Sequence, residues 1–266
     1  HIREVDGVVY VLRAFDAGVP GPTDPLEHLR VVELELVYAD YESCEQQLEK
    51  KIKQARTDKD IATQNEIASK ALQHLKEGTP LYRSTMSKED REAIKDYFLL
   101  TNKPFMAVLN IADDQLDQAT ELANKVSQEL PGVEIVPLCV QLEAEAAQIS
   151  DKDERGEMLE MFGLGEGAMP KFIHSAFTML GLRTYFTTGE KETRAWTFKA
   201  GATAPQCAGV IHGDFERGFI KAEVVSYEDL IAAGSWSKSR DAGKLRIEGK
   251  DYIFQDGDVT EFRFNV

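Results

Sequence analysis

Two hydrophobic periods alternate along the first two-thirds of the chain. Val8 to Leu12, within Gly7-Val8-Val9-Tyr10-Val11-Leu12, is a short run rich in β-branched residues. It predicts a buried strand of a parallel sheet. Asp16 to Pro25 holds three Pro and two Gly, which predicts a loop. From Leu29 the period changes. Leu34, Val37, Tyr41, Cys44, Leu48, Ile52 and Ala55 recur at spacings of three and four, with Glu, Gln and Lys between them, and predict an amphipathic helix. A second such stretch runs from Ile61 to Leu75 and stops before Gly78-Thr79-Pro80. Together they predict an antiparallel helical hairpin. The pattern fits a structural pair of helices and a partner-binding arm equally.

Ser87, with Asp90 three residues on, is an N-cap for a short helix leading to Phe98-Leu99-Leu100. Pro104 to Asn110 predicts a second buried strand, and Asp114 to Leu130 a helix closed by Pro131-Gly132. Val133 to Leu138 predicts a third strand, with a helix from Leu142 to Ile149. Strands alternating with helices predict a doubly wound α/β sheet, with the hairpin inserted between two of its strands. Beyond Leu182 the pattern changes again. Tyr185 to Thr188 and Thr193 to Phe198 alternate around a turn at Gly189. Pro205 to Ile211 predicts a helix, and Ile220–Val225, Lys244–Ile247 and Val259–Phe264 predict strands. Mostly strands with one principal helix suggests a small α+β domain of β-grasp type.

Composition narrows the class. The 266 residues are 42% hydrophobic and 29% charged, as in a folded soluble chain with room for one large domain or two ordinary ones. No apolar run approaches the ~20 residues of a membrane helix, and no membrane partner is expected. No cationic leader with an apolar region opens the chain. Cys44, Cys139 and Cys207 form no CxxC pair, so a reducing, cytoplasmic setting is expected. The net charge of −15 argues against non-specific coating of nucleic acid, and no DNA specificity is expected. The acidity is uneven. From Arg183 onward there are 12 Lys/Arg and 13 Asp/Glu, so a phosphate-bearing partner would touch the C-terminal third. The chain opens His1-Ile2-Arg3-Glu4 and runs at once into an apolar strand, which leads us to expect sequence upstream.

A phosphate-cradling GxxxxGK[ST] loop is absent. Gly163-Leu164-Gly165-Glu166-Gly167 is glycine-rich, but Pro170 precedes Lys171 where Gly is required, so it is taken as a linker between helices. Gly189-Glu190-Lys191 misses the spacing. Asn110-Ile111-Ala112-Asp113 is more informative. In an α/β sheet, ligands bind beyond the carboxyl ends of the strands. A carboxamide followed three residues later by a carboxylate, just past a strand, can read a purine edge. The next strand ends in Leu138-Cys139-Val140-Gln141, whose main chain could meet the other side of the base. The candidate nucleotide-binding residues are therefore Asn110, Ile111, Ala112, Asp113, Cys139, Val140 and Gln141. Such a tetrapeptide alone is common in loops, and its value here is its position. Asn102-Lys103-Pro104 is a decoy, since it precedes its strand and Phe105 stands where an acid is needed. His174 falls on a helix beside Phe172, Phe177 and Leu180 and is expected to be a packed structural histidine. His212, before Gly213-Asp214-Phe215-Glu216-Arg217-Gly218, fits a salt-bridged turn better than a binding edge. No Ser-His-Asp or metal constellation is present.

The strings Thr193-Arg194-Ala195-Trp196-Thr197, Ala204 to His212 and Asp214 to Ile220 are long and unusual. So are Glu248 to Tyr252, Gln255 to Val259 and the ending Phe262 to Val266. Together they closely resemble the C-terminal TGS domain of the Obg-like (YchF) ATPases. His1 to Asp6 resembles the segment after switch II of that family. Asp24-Pro25 with Val32 to Leu36 resembles the start of its helical domain. The resemblance spans essentially the whole chain.

It implies a partial Ras-like P-loop NTPase domain of α/β class with an inserted helical coiled-coil domain, then a C-terminal α+β β-grasp (TGS) domain. The nucleotide domain would comprise residues 1–32 and 99–181, the helical insertion 33–98, and TGS 182–266. It further implies ATP hydrolysis with Mg²⁺ as cofactor, preference for ATP over GTP, and association with the ribosome or ribosomal RNA. Arg194, Lys199, Arg217 and Lys221 are the expected contacts to RNA or ribosomal protein. The P-loop, both switches, the catalytic groups and the Mg²⁺ ligands would precede His1, so the 266-residue chain alone is expected to be inactive. The family's base-reading motif is usually Asn-x-x-Glu, with an apolar residue at the Ile111 position packing on the base. Here Asp113 is one methylene shorter and resembles the guanine-reading form, so ATP and GTP both remain open. Cys139-Val140 stands where Ser-Ala is usual. The stretch from Phe15 to Asp24 is shorter than the family's loop. A nucleotide-independent adaptor, binding ribosome or RNA through the helical arm and TGS domain, is the alternative.

Overall fold

The computed structural model describes every residue except His1, Val19, Glu166, Glu190, Lys191 and Val266. The sequence expectations resting on those positions, in the first residue, the 16–25 loop, the glycine-rich linker and the Gly189 turn, lie in part outside the described residues. The chain divides into two compact units, His1–Met179 and Leu180–Val266.

The first unit is built on three parallel strands, β1 (Val8–Arg13), β2 (Phe105–Asn110) and β3 (Ile135–Leu138), in the order β1-β2-β3. Tyr10, Leu12, Ala107, Leu109 and Ile135 bury their side chains in one core cluster. Between β1 and β2 lies the hairpin of α1 (Pro25–Ala55) and α2 (Lys59–Lys76). The first helix begins four residues before the Leu29 start expected from periodicity. Asp24 caps it by accepting the Leu26 N–H at 3.1 Å, and Pro25 occupies a first-turn position whose missing N–H costs nothing. Val37 and Cys44 face Ala68, Ala71 and Leu75 across the hairpin. Two expected face residues do not: Leu34 and Ile52 are exposed.

After the hairpin comes α3 (Lys88–Ala93), capped by Ser87, whose hydroxyl accepts the Asp90 N–H at 3.0 Å. The helix expected at 114–130 is a 3-10 turn over Asp113–Gln118 followed by α4 (Ala119–Glu129). Then follow α5 (Val140–Ala146), α6 (Lys152–Met161) and α7 (Met169–Met179). The glycine-rich stretch connects α6 to α7, as its linker reading requires. His174 on α7 is exposed, contrary to the packed role expected of it, because the apolar residues around it are themselves partly open to solvent. No described helix is long and apolar enough to cross a membrane.

The second unit is a five-stranded sheet. Its strands are β4 (Leu182–Thr188), β5 (Thr193–Lys199), β6 (Phe219–Ser226), β7 (Arg246–Glu248) and β8 (Asp258–Phe264), in the order β5-β4-β8-β6-β7. Helix α8 (Ala204–Ile211) starts with a capping box, Thr203 and Gln206, and buries Ala204, Cys207 and Ala208 against Tyr185, Phe198, Phe254 and Phe262. The short α9 (Gly213–Arg217) follows it. One principal helix is too few, since α10 (Tyr227–Ala233) and α11 (Trp236–Asp241) lie between β6 and β7. Ser226 and Ser235 cap them, and sequence spacing could have shown this.

All three cysteines are free and buried. Burial first, and the nearby Asp40 and Asp258 second, push the thiols of Cys44 and Cys207 up to about 12. These thiols stay protonated in the folded chain, so above their unfolded value of about 9 stability falls as pH rises. Thiol titration at pH 8 is expected to find almost no reactive cysteine in the native chain and three in denaturant.

Candidate functional site

The carboxyl ends of the three parallel strands are aligned. Arg13 of β1 pairs in register with Asn110 of β2, which pairs with Leu138 of β3. The loops beyond them are cross-tied. The Ala14 N–H donates to the Asn110 carbonyl at 3.0 Å, and the Ile111 N–H donates to the Leu138 carbonyl at 3.1 Å. Extended ends of a parallel sheet expose unused main-chain groups just where its connecting loops converge.

Asn110 spans two of these loops. It is half-buried, and its Oδ1 accepts the Val140 N–H, the first residue of α5, at 3.3 Å. That bond fixes the carboxamide plane, and Nδ2 is left without an acceptor among the described residues. Asp113 opens the 3-10 turn three residues later. It is exposed, and one carboxylate oxygen accepts the Asp114 N–H at 3.0 Å. The two polar groups proposed from sequence therefore stand on one loop, beside the start of α5.

Not every proposed residue faces outward. Ile111 is 2% exposed and belongs to the core beneath the sheet, so its side chain does not lie open for a base to pack on. The strand's alternation turns Ile111 inward because Asn110 faces the loops. The Cys139 side chain is likewise in that core, leaving its main chain as the possible contact. Val140 is 41% exposed. Gln141 is exposed, with its amide donating to Glu145 at 3.1 Å.

Gln115 was missed by sequence reasoning. Its Oε1 accepts the Ala112 N–H at 3.0 Å and its Nε2 donates to the Ala14 carbonyl at 2.9 Å. One side chain thus ties the loop after β2 to the loop after β1. A Gln three residues after a loop residue, at the start of a helical turn, is the signal that could have found it. Glu143 does comparable work on the next segment, where it accepts the Ala168 N–H and fills the space beside Gly167. At Gly167 φ is +84° and a Cβ would sit 2.9 Å from that carboxylate, so glycine is required there.

The four cations proposed from sequence do not form one cluster. Arg194 lies on edge strand β5, its guanidinium 4.1 Å from the Trp196 ring centre. Lys199 ends the same strand and donates to the Leu180 carbonyl at 3.3 Å. Arg217 pairs with Asp214 within α9, so the turn at His212 is salt-bridged as expected. Lys221 is on β6, 3.7 Å from Glu223. Among the described residues no group of three or more His, Cys, Asp or Glu side chains is placed to hold a metal ion.

Comparison with known proteins agrees with this architecture. The family model YchF-GTPase_C, described as a protein of unknown function (DUF933), matches residues 182–265. The ribosome-binding ATPase YchF of Bacillus subtilis (strain 168) is 41% identical over 275 residues, covering all of this chain and 75% of that protein. The protein of the same name from Escherichia coli O157:H7 is 39% identical over 277 residues, again across all of this chain and 75% of its own length. The solved structure of the Schizosaccharomyces pombe YchF GTPase superposes with a TM-score of 0.84 at 31% identity, covering 99% of this chain and 73% of that one. A GTP-binding protein from Pyrococcus horikoshii OT3 shares the fold, with a TM-score of 0.61 at 18% identity, over 99% of this chain and 80% of its own. With identity of this level along its full length, and with its fold matching a solved member, the chain belongs to the YchF family.

Proposed function

We propose that this chain carries the base-reading half of a purine nucleoside triphosphate site in a ribosome-associated ATPase. The observation that carries the reading is the Asn110 bridge. One carboxamide ties two strand-end loops by accepting the Val140 N–H at 3.3 Å, leaving Nδ2, which has no acceptor among the described residues, to donate to a ring nitrogen, with the Asp113 carboxylate on the same loop. The names of the relatives, ribosome-binding ATPases, support the partner and the chemistry.

In this reading residues 1–32 and 99–181 are part of a Ras-like nucleotide domain. Residues 33–98 are its helical coiled-coil insertion, and 182–266 form a β-grasp TGS domain. Asn110, Ala112 and Asp113, with the main chain of Cys139, Val140 and Gln141, face the base. Ile111 supports them from below. This chain's residues contribute recognition of the base; a Mg²⁺ bound with the triphosphate would supply charge neutralisation at phosphate.

Titration calorimetry of the chain with ATP and GTP tests the reading. Asn110→Ala removes the inter-loop bond and one base contact, each worth about 1–1.5 kcal/mol, so affinity is expected to fall by roughly a hundredfold. Unchanged affinity in that variant would remove the assignment. Gln115→Ala frees the loop without touching the ligand, and a loss of about fivefold is expected, near 1 kcal/mol. Asp113→Glu lengthens the acid to the form usual in the family and is expected to shift the ratio of affinities toward ATP.

With no GxxxxGK[ST] loop in its 266 residues, the chain by itself is expected to bind without turnover. Phosphate release above the buffer blank would contradict this. The adaptor alternative would show as ribosome cosedimentation that nucleotide does not alter in a chain extended to the relatives' full length.

A further inference from the structure

We propose that Lys221, Arg240 and Arg263 form a prearranged site for the phosphodiester backbone of RNA on one face of the second unit's sheet. The proposal rests on the ribosome-associated reading above and gives it a contact surface.

The register places these groups. Lys221 pairs with Arg263 between β6 and β8, and Glu223 pairs with Glu261 two residues along. Alternation sends all four side chains out of the same sheet face. Arg240 reaches the cluster from α11. Three cations converge on the Glu223 carboxylate: Arg240 at 3.3 Å, Arg263 at 3.6 Å and Lys221 at 3.7 Å. Arg263 also meets Glu261 at 3.0 Å.

Burial sets Glu223 behind its partners. The Glu223 side chain is 11% exposed, whereas Lys221, Arg240 and Arg263 are 38%, 60% and 49% exposed. Glu261 is open, at 45%, and pairs with Arg263, so three exposed cations stand against one buried and one exposed carboxylate. Glu223 acts as a positioning residue. It holds three long side chains that would otherwise lose rotamer freedom on binding.

The chemistry favours phosphate. Two of the cations are guanidinium forks, which match phosphate oxygens in pairs, and the lysine adds a point charge. Strands lie about 4.8 Å apart, so Lys221 and Arg263 stand side by side, close enough to share one phosphate or contact adjacent ones. Of the four cations chosen from sequence, Lys221 alone belongs to this cluster.

The test is fluorescence anisotropy of a labelled single-stranded 20-nucleotide RNA with the full chain across a salt series. The double variant Arg240→Gln with Arg263→Gln is compared with Lys152→Gln with Arg155→Gln, which makes the same charge change on α6. The first is expected to weaken binding at least tenfold. It should also flatten the slope of log K against log salt by about 1.4, from two lost contacts at ~0.7 each. The control should match the parent. Arg240→Lys with Arg263→Lys keeps the charge and the fold; its slope should be unchanged while affinity falls through loss of the forks. Parental affinity and slope in the Gln double variant would overturn the site while leaving RNA binding intact. Cosedimentation with ribosomes without any binding of free RNA would also overturn it, pointing to an acidic protein partner instead. Failure to bind either would remove the ribosome reading together with the site.

Discussion

Asp40→Ala is expected to cost the first unit about 3–5 kcal/mol, the penalty for removing one partner of a buried ionic network. Asp40 is wholly buried in α1. Its Oδ1 accepts from the Arg3 guanidinium at 2.6 Å and the Leu100 N–H at 2.9 Å. Its Oδ2 accepts from the Thr101 N–H at 2.7 Å and the Thr101 hydroxyl at 2.9 Å. One carboxylate thus joins the segment before β1, the helical hairpin and the turn before β2. Without it two buried amides lose their acceptor, and Arg3 keeps only carbonyl partners, chiefly Ala39 at 2.7 Å. For a unit of this size the melting temperature should fall by roughly 10 °C, read by far-ultraviolet circular dichroism. Asp40→Asn keeps the volume but turns a donor toward donors, so it should recover little of the loss. A loss below about 1 kcal/mol in Asp40→Ala would show that solvent or a rearrangement replaces the carboxylate.

Tyr185→Ala should be comparably severe in the second unit, at about 3–5 kcal/mol. Tyr185 is fully buried at the centre of an aromatic cluster. Its ring centre lies 5.3 Å from Phe254 and 5.8 Å from both Phe198 and Phe262, at tilted or edge-on angles. The phenol donates to the Cys207 carbonyl at 2.8 Å, fastening β4 to α8. Burial holds that phenol's pKa well above its usual range, so it stays a donor throughout neutral pH. Tyr185→Phe keeps the ring and loses the bond, and about 1 kcal/mol is expected. Both tryptophans, Trp196 and Trp236, lie in this unit, so their fluorescence follows its unfolding directly. Equal midpoints for Tyr185→Ala and the parent would contradict a core built around this ring.

The strands of the first unit were legible because each is a short apolar run bounded by polar or turn residues. β1, β2 and β3 fall where that rule places them. Helix ends were less legible. Periodicity located α1 from Leu29, but its start is set by the Asp24 cap and Pro25, which composition groups with the preceding loop. Helices α10 and α11 escaped because each is short and half-polar, and only their serine caps mark them. At the candidate site the order of polar residues was readable, while side-chain direction was not. Ile111 sits between two site residues in sequence, yet strand alternation turns it into the core.

By itself the sequence determined the three strands of the first unit and its helical hairpin, the position of Asn110 and Asp113 beyond a strand, and the family. These depend on local spacing and on which residue follows which. The tertiary structure alone decided which distant groups meet. Val140 is 30 residues from Asn110, Ala14 is 101 from Gln115, and Thr101 is 61 from Asp40. Contacts of that separation are set by sheet register and helix packing, and no local pattern encodes them.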